Sequence, residues 1–319
     1  MAWIFVALGL VTLLLAGDFL VRGAVNLALR LGISALLVSL TVVAFGTSAP
    51  ELLIVLSAMA DGASGLAMGN VIGSNTANIL LVLGLPALIA GLHTADFFPK
   101  KSFLLMILAT VLFIGLAFFG PFTWWHGGIL LAVLLCILWD QGRSAQRDRQ
   151  AAKTAALVAV EEDGLEGVDP TMPGWKIALY LMFGLVGLPI GARVLVVNAE
   201  LIAKDYGVPE TAIGLTLIAV GTSLPELATT TIAAFRRQGD VALGNVIGSN
   251  MFNLLAIIGI AAFVAPIPVD AAFLRFDLWI MLAASLLLFP MVFFKINFTR
   301  MWGAGLTLLY MAYLFVVLL

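Results

Sequence analysis

One stretch of this sequence occurs twice, and it constrains the fold more than any other feature. Residues 46–51 read Gly-Thr-Ser-Ala-Pro-Glu, and residues 221–226 read Gly-Thr-Ser-Leu-Pro-Glu. Downstream of each copy stands the same string, Gly-Asn-Val-Ile-Gly-Ser-Asn, at residues 69–75 and 244–250. Both pairs are separated by 175 positions, from 46 to 221 and from 69 to 244. A repeat at a fixed offset indicates a chain built from two related units.

The composition predicts that these units lie in a lipid bilayer. Of the 319 residues 62% are hydrophobic and only 11% are charged, unlike a water-soluble domain. Long apolar runs, which are typical of transmembrane helices, follow one another along the sequence. The N-terminus lacks the basic segment of a signal peptide, so we expect the first run to be retained as a helix. The single cysteine, Cys136, allows no intramolecular disulfide.

The apolar runs predict ten transmembrane helices, five in each repeat. Their predicted ranges are 2–27, 33–60, 65–91, 102–119, 124–140, 175–203, 208–235, 241–265, 276–294 and 301–319. Because five is an odd number, the second repeat must enter the bilayer from the opposite face. We therefore predict an all-α membrane protein of two inverted five-helix repeats. These are residues 1–140, with the motif region 46–85, and residues 175–319, with the motif region 221–260.

Basic residues that flank the helices predict the orientation. Three of the 16 Lys and Arg residues (Arg193, Lys204 and Arg275) fall on one side of the bilayer, and all the others fall on the opposite side. This bias predicts that both termini lie outside and that the linker 141–174 is cytoplasmic, in the plasma (inner) membrane of a prokaryote. The linker is too short for a folded regulatory domain.

Each motif places one carboxylate deep inside an otherwise uncharged stretch. Glu51 is the only charged residue between Ile33 and Ala60, and Glu226 is the only one between residues 211 and 235. A carboxylate near the bilayer centre costs on the order of a few kcal/mol, which makes it a candidate functional residue. Since the two helices belong to inverted repeats, we expect the two glutamates to meet near the midplane.

A proline stands directly before each glutamate. Pro50 and Pro225 offer no N–H to the carbonyls of Gly46 and Gly221, four residues earlier. We expect the helices to break there and to leave carbonyl oxygens free, which a membrane protein tolerates only beside a polar cavity. The neighbouring hydroxyls belong to Thr47, Ser48, Thr222 and Ser223.

The second string adds amides and further hydroxyls. Ser74 and Asn78 are four residues apart and share a helix face, and Ser249 and Asn253 are their equivalents. For the two residues Asn78 and Asn253, cation binding and bonding between helices are equally open. The other amides, expected only to bond between helices, are Asn70, Asn75, Asn245 and Asn250.

Every candidate ligand atom is therefore an oxygen. Ca²⁺ and Na⁺ take such ligands, whereas Zn²⁺ and copper normally take His or Cys. The two histidines, His93 and His126, are expected at helix ends, and no cofactor is expected. Two carboxylates can neutralise one Ca²⁺ or two or more Na⁺ ions. Mutually exclusive occupation of one carboxylate pair is thus a physical route to exchange.

A further pair of opposite charges is separated by the same offset. Asp18 and Arg193 lie roughly 16 to 18 residues into helices that enter from opposite faces. At about 1.5 Å per residue, they are expected near opposite surfaces, which excludes a direct pair. Asp18 is expected to pair with Arg22, four residues on.

The two Gly-Thr-Ser-x-Pro-Glu motifs, each followed by Gly-Asn-Val-Ile-Gly-Ser-Asn, resemble the α-repeats of the Ca²⁺/cation antiporter superfamily. Within it, the chain is similar to the prokaryotic sodium/calcium exchanger branch. The resemblance covers essentially all ten predicted helices. It implies that the second, third, seventh and eighth helices line four cation sites, and that the first and sixth helices form a sliding gate.

The resemblance also implies roles for individual residues. Glu51 and Glu226 would be the central ligands, with backbone oxygens of Thr47 and Thr222 on Ca²⁺. The flanking Na⁺ sites would be surrounded by Ser48, Ser74, Ser223, Ser249 and the carbonyls of Ala44 and Ala219. Asn78 matches the amide of the middle site. Asn253 is a departure, because several relatives carry Asp there, and it leaves the stoichiometry and K⁺ involvement open.

We interpret the chain as a Na⁺/Ca²⁺ antiporter, not an enzyme, that exports Ca²⁺ as a monomer. Its expected partners are these ions and the lipid bilayer, with no nucleic acid. H⁺/Ca²⁺ exchange stays open, since a buried carboxylate can carry a proton, and so does a K⁺-dependent variant. A cation channel would need rings of ligands, usually from several subunits. A membrane-embedded hydrolase would need a His or Cys set within the membrane.

Overall fold

The structure, a computed structural model, is built almost entirely from helices. It describes residues 1–92, 100–147, 169, 171–208 and 219–318. In chain order the helices are α1 (Ala2–Leu31), α2 (Ala35–Ala60), α3 (Ser64–Ala90), α4 (Lys100–Ala117), α5 (Trp124–Arg147), α6 (Gly174–Asp205), α7 (Ala219–Thr222 and Leu224–Phe235), α8 (Gly239–Val264), α9 (Phe273–Phe294) and α10 (Arg300–Leu318).

The length and apolar character of these helices fit a membrane protein. Among the described residues, nine helices (all except α7) are long and apolar enough to cross a bilayer. α7 falls in the predicted helix 208–235, of which residues 209–218 lie outside the described residues. His93 and most of the predicted linker 141–174 lie outside them as well. The protein is an all-α membrane protein, as the sequence predicts.

The turn between α1 and α2 shows how the sequence ends one membrane helix and starts the next. Gly32 adopts φ 67°, which glycine accepts readily, and its N–H donates to the Leu29 carbonyl oxygen at 3.2 Å. The hydroxyl of Ser34 then caps α2 by accepting a hydrogen bond from the Leu37 N–H at 3.3 Å. α1 consequently ends at Leu31 rather than at the predicted residue 27, because the capping glycine comes later.

α1 and α6 pack against each other in antiparallel orientation. A Cβ added to Gly9 would lie 2.7 Å from the backbone nitrogen of Leu195, and one added to Gly184 would lie 2.8 Å from Leu20 Cα. Residues further along α1 face residues that come earlier in α6, from Gly9 with Leu195 to Gly23 with Leu181. The two helices are therefore antiparallel, with a constant register over most of their length. Because small residues let membrane helices approach closely, α1 and α6 form one tight pair.

This register separates Asp18 from Arg193, but by less than the sequence predicts. Asp18 is level with Val186, seven residues before Arg193, so the two positions are about 10 Å apart along the axis. The expectation that they lie near opposite surfaces is wrong, because each residue lies only a few positions past the middle of its helix, which has 30 residues in α1 and 32 in α6. Asp18 does pair with Arg22, as predicted, at 2.9 Å.

Two other helix pairs repeat the same packing at the repeat offset. A Cβ added to Gly84 of α3 would lie 3.0 Å from Leu306 Cβ of α10. A Cβ added to Gly259 of α8 would lie 2.9 Å from Leu131 Cγ of α5. Gly259 and Leu306 stand 175 positions after Gly84 and Leu131, so both halves of the chain use one packing solution.

α3 and α8 form the centre of the molecule. In their most apolar parts, 72% of the residues of α3 and 89% of those of α8 are buried inside the protein. The corresponding shares are 22% for α6 and 17% for α10, so these helices present their apolar surface to the surrounding lipid. The polar strings of the repeat lie in α3 and α8 and are thereby placed far from lipid.

The described end of the linker docks onto α1. The backbone N–H of Asp169 donates to Asn26 Oδ1 at 2.9 Å. The Thr171 hydroxyl and backbone N–H donate to the Asp169 carboxylate, and these hydrogen bonds lower the pKa of Asp169. The chain therefore enters α6 from a fixed point on α1.

Replacing Gly127 by alanine should destabilise the protein, whereas the same change at Gly128 should not. A Cβ on Gly127 would lie 2.5 Å from the Gly259 carbonyl oxygen, but one on Gly128 would meet no described atom within 4 Å. We expect Gly127→Ala to cost about 1–3 kcal/mol, measured as a lower Tm in detergent. Gly128→Ala is the matched control, and an equal Tm for both variants would contradict the close contact between α5 and α8.

Candidate functional site

The repeated motifs interrupt α2 and α7 at equivalent residues. The interruption falls at Ser48 in α2 (φ −83°, ψ 0°) and at Ser223 in α7 (φ −89°, ψ 6°). Pro50 and Pro225 lie in the first turn of the resumed helices, where a missing N–H is tolerated. The carbonyl four residues before each proline loses its helical donor, so both helices carry exposed backbone polarity at the motif.

π turns widen the neighbouring helices α3 and α8 at equivalent places. Asn78 begins the turn Asn78–Val82, and Asn253 lies in the turn Phe252–Ile257. Turns of this kind are frequent at functional sites. Sequence reasoning missed them, because hydrophobic periodicity over five or six residues does not distinguish a π turn from an α turn. The repeated Asn that follows each string is the one available signal.

Glu51 and Glu226 lie together in the interior of the protein. Their exposed fractions are 1% and 0%. The Ser48 hydroxyl donates to Glu226 Oε1 at 3.5 Å, and the side chains of Thr47 and Ser249 lie close to the same carboxylate. The two carboxylates are also close enough to repel each other. The motif of the first half thus surrounds the glutamate of the second half.

Several polar atoms beside the glutamates are buried without a hydrogen-bond partner in the described part of the chain. They are Glu51 Oε2, Glu226 Oε2, Asn78 Oδ1, both amide atoms of Asn253 and the Ser223 hydroxyl. None of the ion pairs between described residues includes either glutamate. Buried acceptors are normally satisfied, so the unpaired oxygens of this group, though not the Asn253 nitrogen, fit a ligand that supplies positive charge.

Two asparagines of the repeated strings connect α8 to its neighbours. Asn78 Nδ2 donates to Asn250 Oδ1 at 3.0 Å, and Asn250 Nδ2 donates to the backbone oxygen of Asn75 at 3.4 Å. Asn245 Oδ1 accepts a hydrogen bond from the Thr47 hydroxyl at 3.2 Å. The predicted bonding between helices is therefore confirmed for the Asn245 and Asn250 side chains.

The side chains of Asn75 and Asn70 do not follow that prediction. Asn75 Nδ2 donates to the Val71 carbonyl oxygen at 2.8 Å, because that oxygen lies one turn earlier in the same helix. Asn70 Nδ2 is buried and has no hydrogen-bond partner among the residues that the structure describes. For Asn78 the bonding between helices is confirmed for its nitrogen, whereas its oxygen has no hydrogen-bond partner among the described residues, so cation binding by that oxygen stays a prediction.

The remaining candidate ligands lie on the same helices. Ser74, Ser249 and Thr222 are buried, and Ala219 begins the described part of α7. The Ala44 carbonyl oxygen accepts hydrogen bonds from the Ser48 N–H at 3.0 Å and, more weakly, from the Thr47 hydroxyl at 3.3 Å. A cation at Ala44 would therefore replace the weaker of these two bonds, the one from the Thr47 hydroxyl.

A cavity is lined by one of the candidate ligands, Ser74. It has a volume of about 330 Å³ and lies between α3, α9 and α10. Ser74 lines it at one end, and Asp277, whose carboxylate accepts a hydrogen bond from the Tyr313 hydroxyl at 3.1 Å, lines it as well. The candidate site therefore adjoins a space wide enough for a hydrated ion.

His126 is a packed side chain rather than a ligand. Its Nδ1 accepts a hydrogen bond from the Thr123 N–H at 3.1 Å, and its ring stacks on Trp125 with centroids 3.3 Å apart. It lies near the start of α5, as the sequence predicts. Within the described ranges, no group of three or more His, Cys, Asp or Glu side chains could hold a metal ion. The candidate ligands are therefore the two carboxylates and the oxygen atoms near them.

Replacing Asn250 by valine should destabilise the contact between α3 and α8. The change removes the acceptor of Asn78 Nδ2 and leaves a buried donor unpaired. We expect a loss of about 1–3 kcal/mol, measured as a lower Tm in detergent. Asn70→Val is the matched control, since the Asn70 amide nitrogen makes no hydrogen bond to a described residue. Equal losses in the two variants would contradict the role of the Asn250 amide.

Comparisons of the whole sequence with known proteins agree with one another. The family model described as sodium/calcium exchanger protein matches residues 1–141 and 176–319. The putative antiporter CaxA of Alkalimonas amylolytica is 38% identical over 297 residues, which cover 91% of this chain and 89% of CaxA. The sodium/calcium exchanger MaX1 of Methanosarcina acetivorans is 31% identical over 342 residues, which cover 99% of this chain and 98% of MaX1.

A comparison of structures gives the same result. The sodium-calcium exchanger NCX_Mj, soaked with 2.5 mM Na⁺ and 0.1 mM Ca²⁺, superposes with a TM-score of 0.80. The match covers 98% of this chain and 96% of NCX_Mj, at 28% sequence identity. The similarity therefore extends over both halves of the chain and over the helices that carry the candidate site.

Proposed function

Because this chain belongs to the sodium/calcium exchanger protein family, we propose that it exchanges Na⁺ for Ca²⁺ across the membrane by alternating access. The observation that carries the proposal is the buried pair of Glu51 and Glu226. Each has an oxygen without a hydrogen-bond partner, and neither forms an ion pair with a described basic residue. Two adjacent carboxylates in such surroundings need positive charge, and a transported cation supplies it.

The chemistry of the surrounding atoms supports cations as the cargo. Hard cations take oxygen ligands, and every candidate ligand here is a carboxylate, hydroxyl, amide or carbonyl oxygen. One Ca²⁺ offsets both carboxylate charges, and two or more Na⁺ ions do the same. Since both kinds of occupant use Glu51 and Glu226, they displace each other. Exchange follows when this displacement occurs alternately from the two sides of the membrane.

We assign the individual ligands as the sequence motifs predict. Glu51, Glu226 and backbone oxygens of Thr47 and Thr222 form the Ca²⁺ position, and Asn78 contributes its unpaired amide oxygen. The flanking Na⁺ positions use Ser48, Ser74, Ser223, Ser249 and the carbonyls of Ala44 and Ala219. Asn253 replaces a carboxylate by an amide, so the site has one negative charge fewer than a site with Asp there.

The proposed architecture is two inverted repeats, residues 1–140 and 175–319, joined by a cytoplasmic linker at 141–174. Two observations support it. The first helices of the two repeats, α1 and α6, run antiparallel, as inversion requires. The packing of α3 on α10 recurs, at the repeat offset, in that of α8 on α5. We further propose that both termini lie outside and that a monomer in the inner membrane is the functional unit.

Removing either central carboxylate should abolish Ca²⁺ transport and leave the fold intact. Glu51→Gln and Glu226→Gln keep the side-chain volume but remove the negative charge on which the divalent cation depends. We expect Ca²⁺ uptake into proteoliposomes to fall to background, with an unchanged elution profile in size-exclusion chromatography. The control is Glu200→Gln, which removes a carboxylate paired with Lys204 on the outer helix α6. Exchange retained in both glutamine variants would contradict the assignment of the site.

The coupling ion can be identified by imposing one gradient at a time. We expect proteoliposomes loaded with Na⁺ and diluted into buffer free of Na⁺ and K⁺, at fixed pH, to take up radioactive Ca²⁺. Uptake should stop when the Na⁺ gradient is removed, because Na⁺ then no longer displaces Ca²⁺ on the other side.

Other outcomes of that measurement point to other coupling. Uptake that follows an imposed pH gradient and ignores Na⁺ would show H⁺/Ca²⁺ exchange through protonation of the glutamates. Uptake that needs K⁺ together with Ca²⁺ would show the K⁺-dependent variant. Asn253→Asp tests the missing charge in the same assay, and we expect it to change the Na⁺ dependence rather than abolish uptake.

A further inference from the structure

One carboxylate outside the candidate site connects α1 to the end of α7. Asp18 accepts a hydrogen bond from Arg236 Nε at 2.6 Å, and its carboxylate also pairs with Arg236 Nη2. Arg22, one turn later in α1, pairs with the other oxygen of Asp18 at 2.9 Å. The side chains of Arg236 and Asp18 are 12% and 23% exposed, so this ion pair is largely shielded from solvent.

The repeat offset assigns a counterpart to each partner of this ion pair. Arg193 in α6 stands 175 positions after Asp18, and Arg236 stands 175 positions after Asp61, which follows α2. The second pair of positions, Arg193 and Asp61, therefore carries the same two charges in exchanged places. Both of these side chains are exposed, and they do not pair with each other. One ion pair is thus formed, and its counterpart is not.

The directions of the helices place Arg236 of the formed ion pair and Asp61 of its unformed counterpart at opposite ends of the molecule. α2 runs parallel to α8, since Gly244 faces Leu36 and Gly248 faces Ala44. α8 follows α7 through a tight turn, so α2 and α7 are antiparallel and their C-terminal ends, at Asp61 and Arg236, point in opposite directions.

The pair of helices α1 and α6 spans the distance between these two ends. Its constant antiparallel register sets Arg193 about 10 Å from the level of Asp18, on the side of Asp61. A shift of the α1–α6 pair along its axis that withdraws Asp18 from Arg236 therefore carries Arg193 towards Asp61. The same displacement therefore breaks the Asp18–Arg236 ion pair and brings the side chains of Arg193 and Asp61 closer together.

The nearest contacts at the glycines of the two repeated motifs are also asymmetric, because both involve α6 and neither involves α1. Space for a Cβ on Gly46 is taken by Leu185, and space for one on Gly221 is taken by Val196, so α6 covers both motifs. The residues of α1 at the repeat offset from Leu185 and Val196 are Leu10 and Val21. An exchange of the roles of α1 and α6 would bring these residues over the motifs instead.

We propose that Asp18–Arg236 and Arg193–Asp61 are two latches that close alternately, each holding the protein open to one side of the membrane. The proposal rests on the proposed function only in that alternating access supplies the displacement. The exchanged charges make each latch specific. If Asp18 of α1 met Asp61 after α2, or if Arg193 of α6 met Arg236 after α7, two like charges would face each other. Only Asp18 with Arg236, which is observed, and Arg193 with Asp61, which is proposed, bring opposite charges together.

The test measures whether breaking the Asp18–Arg236 latch brings positions 193 and 61 together. In a Cys136→Ser background, which removes the only cysteine, Arg193→Cys and Asp61→Cys provide two thiols for a short bifunctional thiol crosslinker. We expect slow crosslinking in this protein and crosslinking about threefold to fivefold faster after Asp18→Asn, because the loss of a largely shielded ion pair shifts the population by about that factor. The purified full-length chain in proteoliposomes is used.

The matched control is Glu200→Gln in the same two-cysteine protein. It breaks an ion pair within α6, to Lys204, and should leave the crosslinking rate unchanged. A rate unaffected by Asp18→Asn, or equally raised by both changes, would overturn the proposal, as would a pair of thiols that never crosslinks.

Ca²⁺ uptake by the Cys136→Ser parent, measured separately, tests the proposed function alone. If uptake were lost while Asp18→Asn still raised the crosslinking rate, the proposed exchange of Na⁺ for Ca²⁺ would be contradicted and the latches would not. A parent that transports, combined with thiols that never crosslink, would refute the latches and leave the exchange function standing.

Discussion

The structure depends on the burial of two carboxylates beside each other in the centre of a membrane protein. The energetic cost of such an arrangement, on the order of a few kcal/mol or more for each charge, is not offset by any described basic side chain. In the proposed site, a cation between Glu51 and Glu226 would offset this cost. The helix interruptions, the hydroxyls and the amides are the local means by which the chain surrounds that position with oxygen atoms.

Some polar residues of each half find their hydrogen-bond partners in the other half. Ser48 of the first motif donates to Glu226 of the second, and Asn78 of α3 donates to Asn250 of α8. Yet the equivalent of the first bond is missing, because the Ser223 hydroxyl has no partner among the described residues. The two halves are alike in sequence and in packing, and they differ in hydrogen bonding. This difference fits one of two arrangements that the pseudo-two-fold symmetry of inverted repeats would interconvert.

Much of this architecture can be read from the sequence, for identifiable reasons. The composition and the apolar runs predict the membrane helices, and the repeated Pro-Glu predicts where α2 and α7 are interrupted. Other features cannot be predicted in this way. α1 ends four residues late because a glycine cap, not hydrophobicity, determines the last turn. The π turn at Asn78 leaves no periodic signal, and the pairing of Asp18 with Arg236 depends on helix register.

The same limit applies to the candidate site. Residue types and spacing single out Glu51, Glu226 and their neighbouring hydroxyls before any coordinates are known. They do not reveal that Asn75 bonds within its own helix while Asn250 reaches across, since rotamers are selected by packing. Nor do they distinguish Asn78, whose nitrogen is engaged, from Asn253, whose amide is entirely unpaired among the described residues.

The long sequence separation of these hydrogen bonds has a consequence for synthesis of the protein. The bonds from Asn78, from Asn250 and from Ser48 join residues 172, 175 and 178 positions apart. When the first five helices leave the ribosome, Glu51 and its neighbours therefore enter the bilayer with no partners and must wait for the later helices. Insertion has to tolerate an unfinished polar surface, and a chain truncated after α5 would present that surface to lipid or to the quality-control machinery.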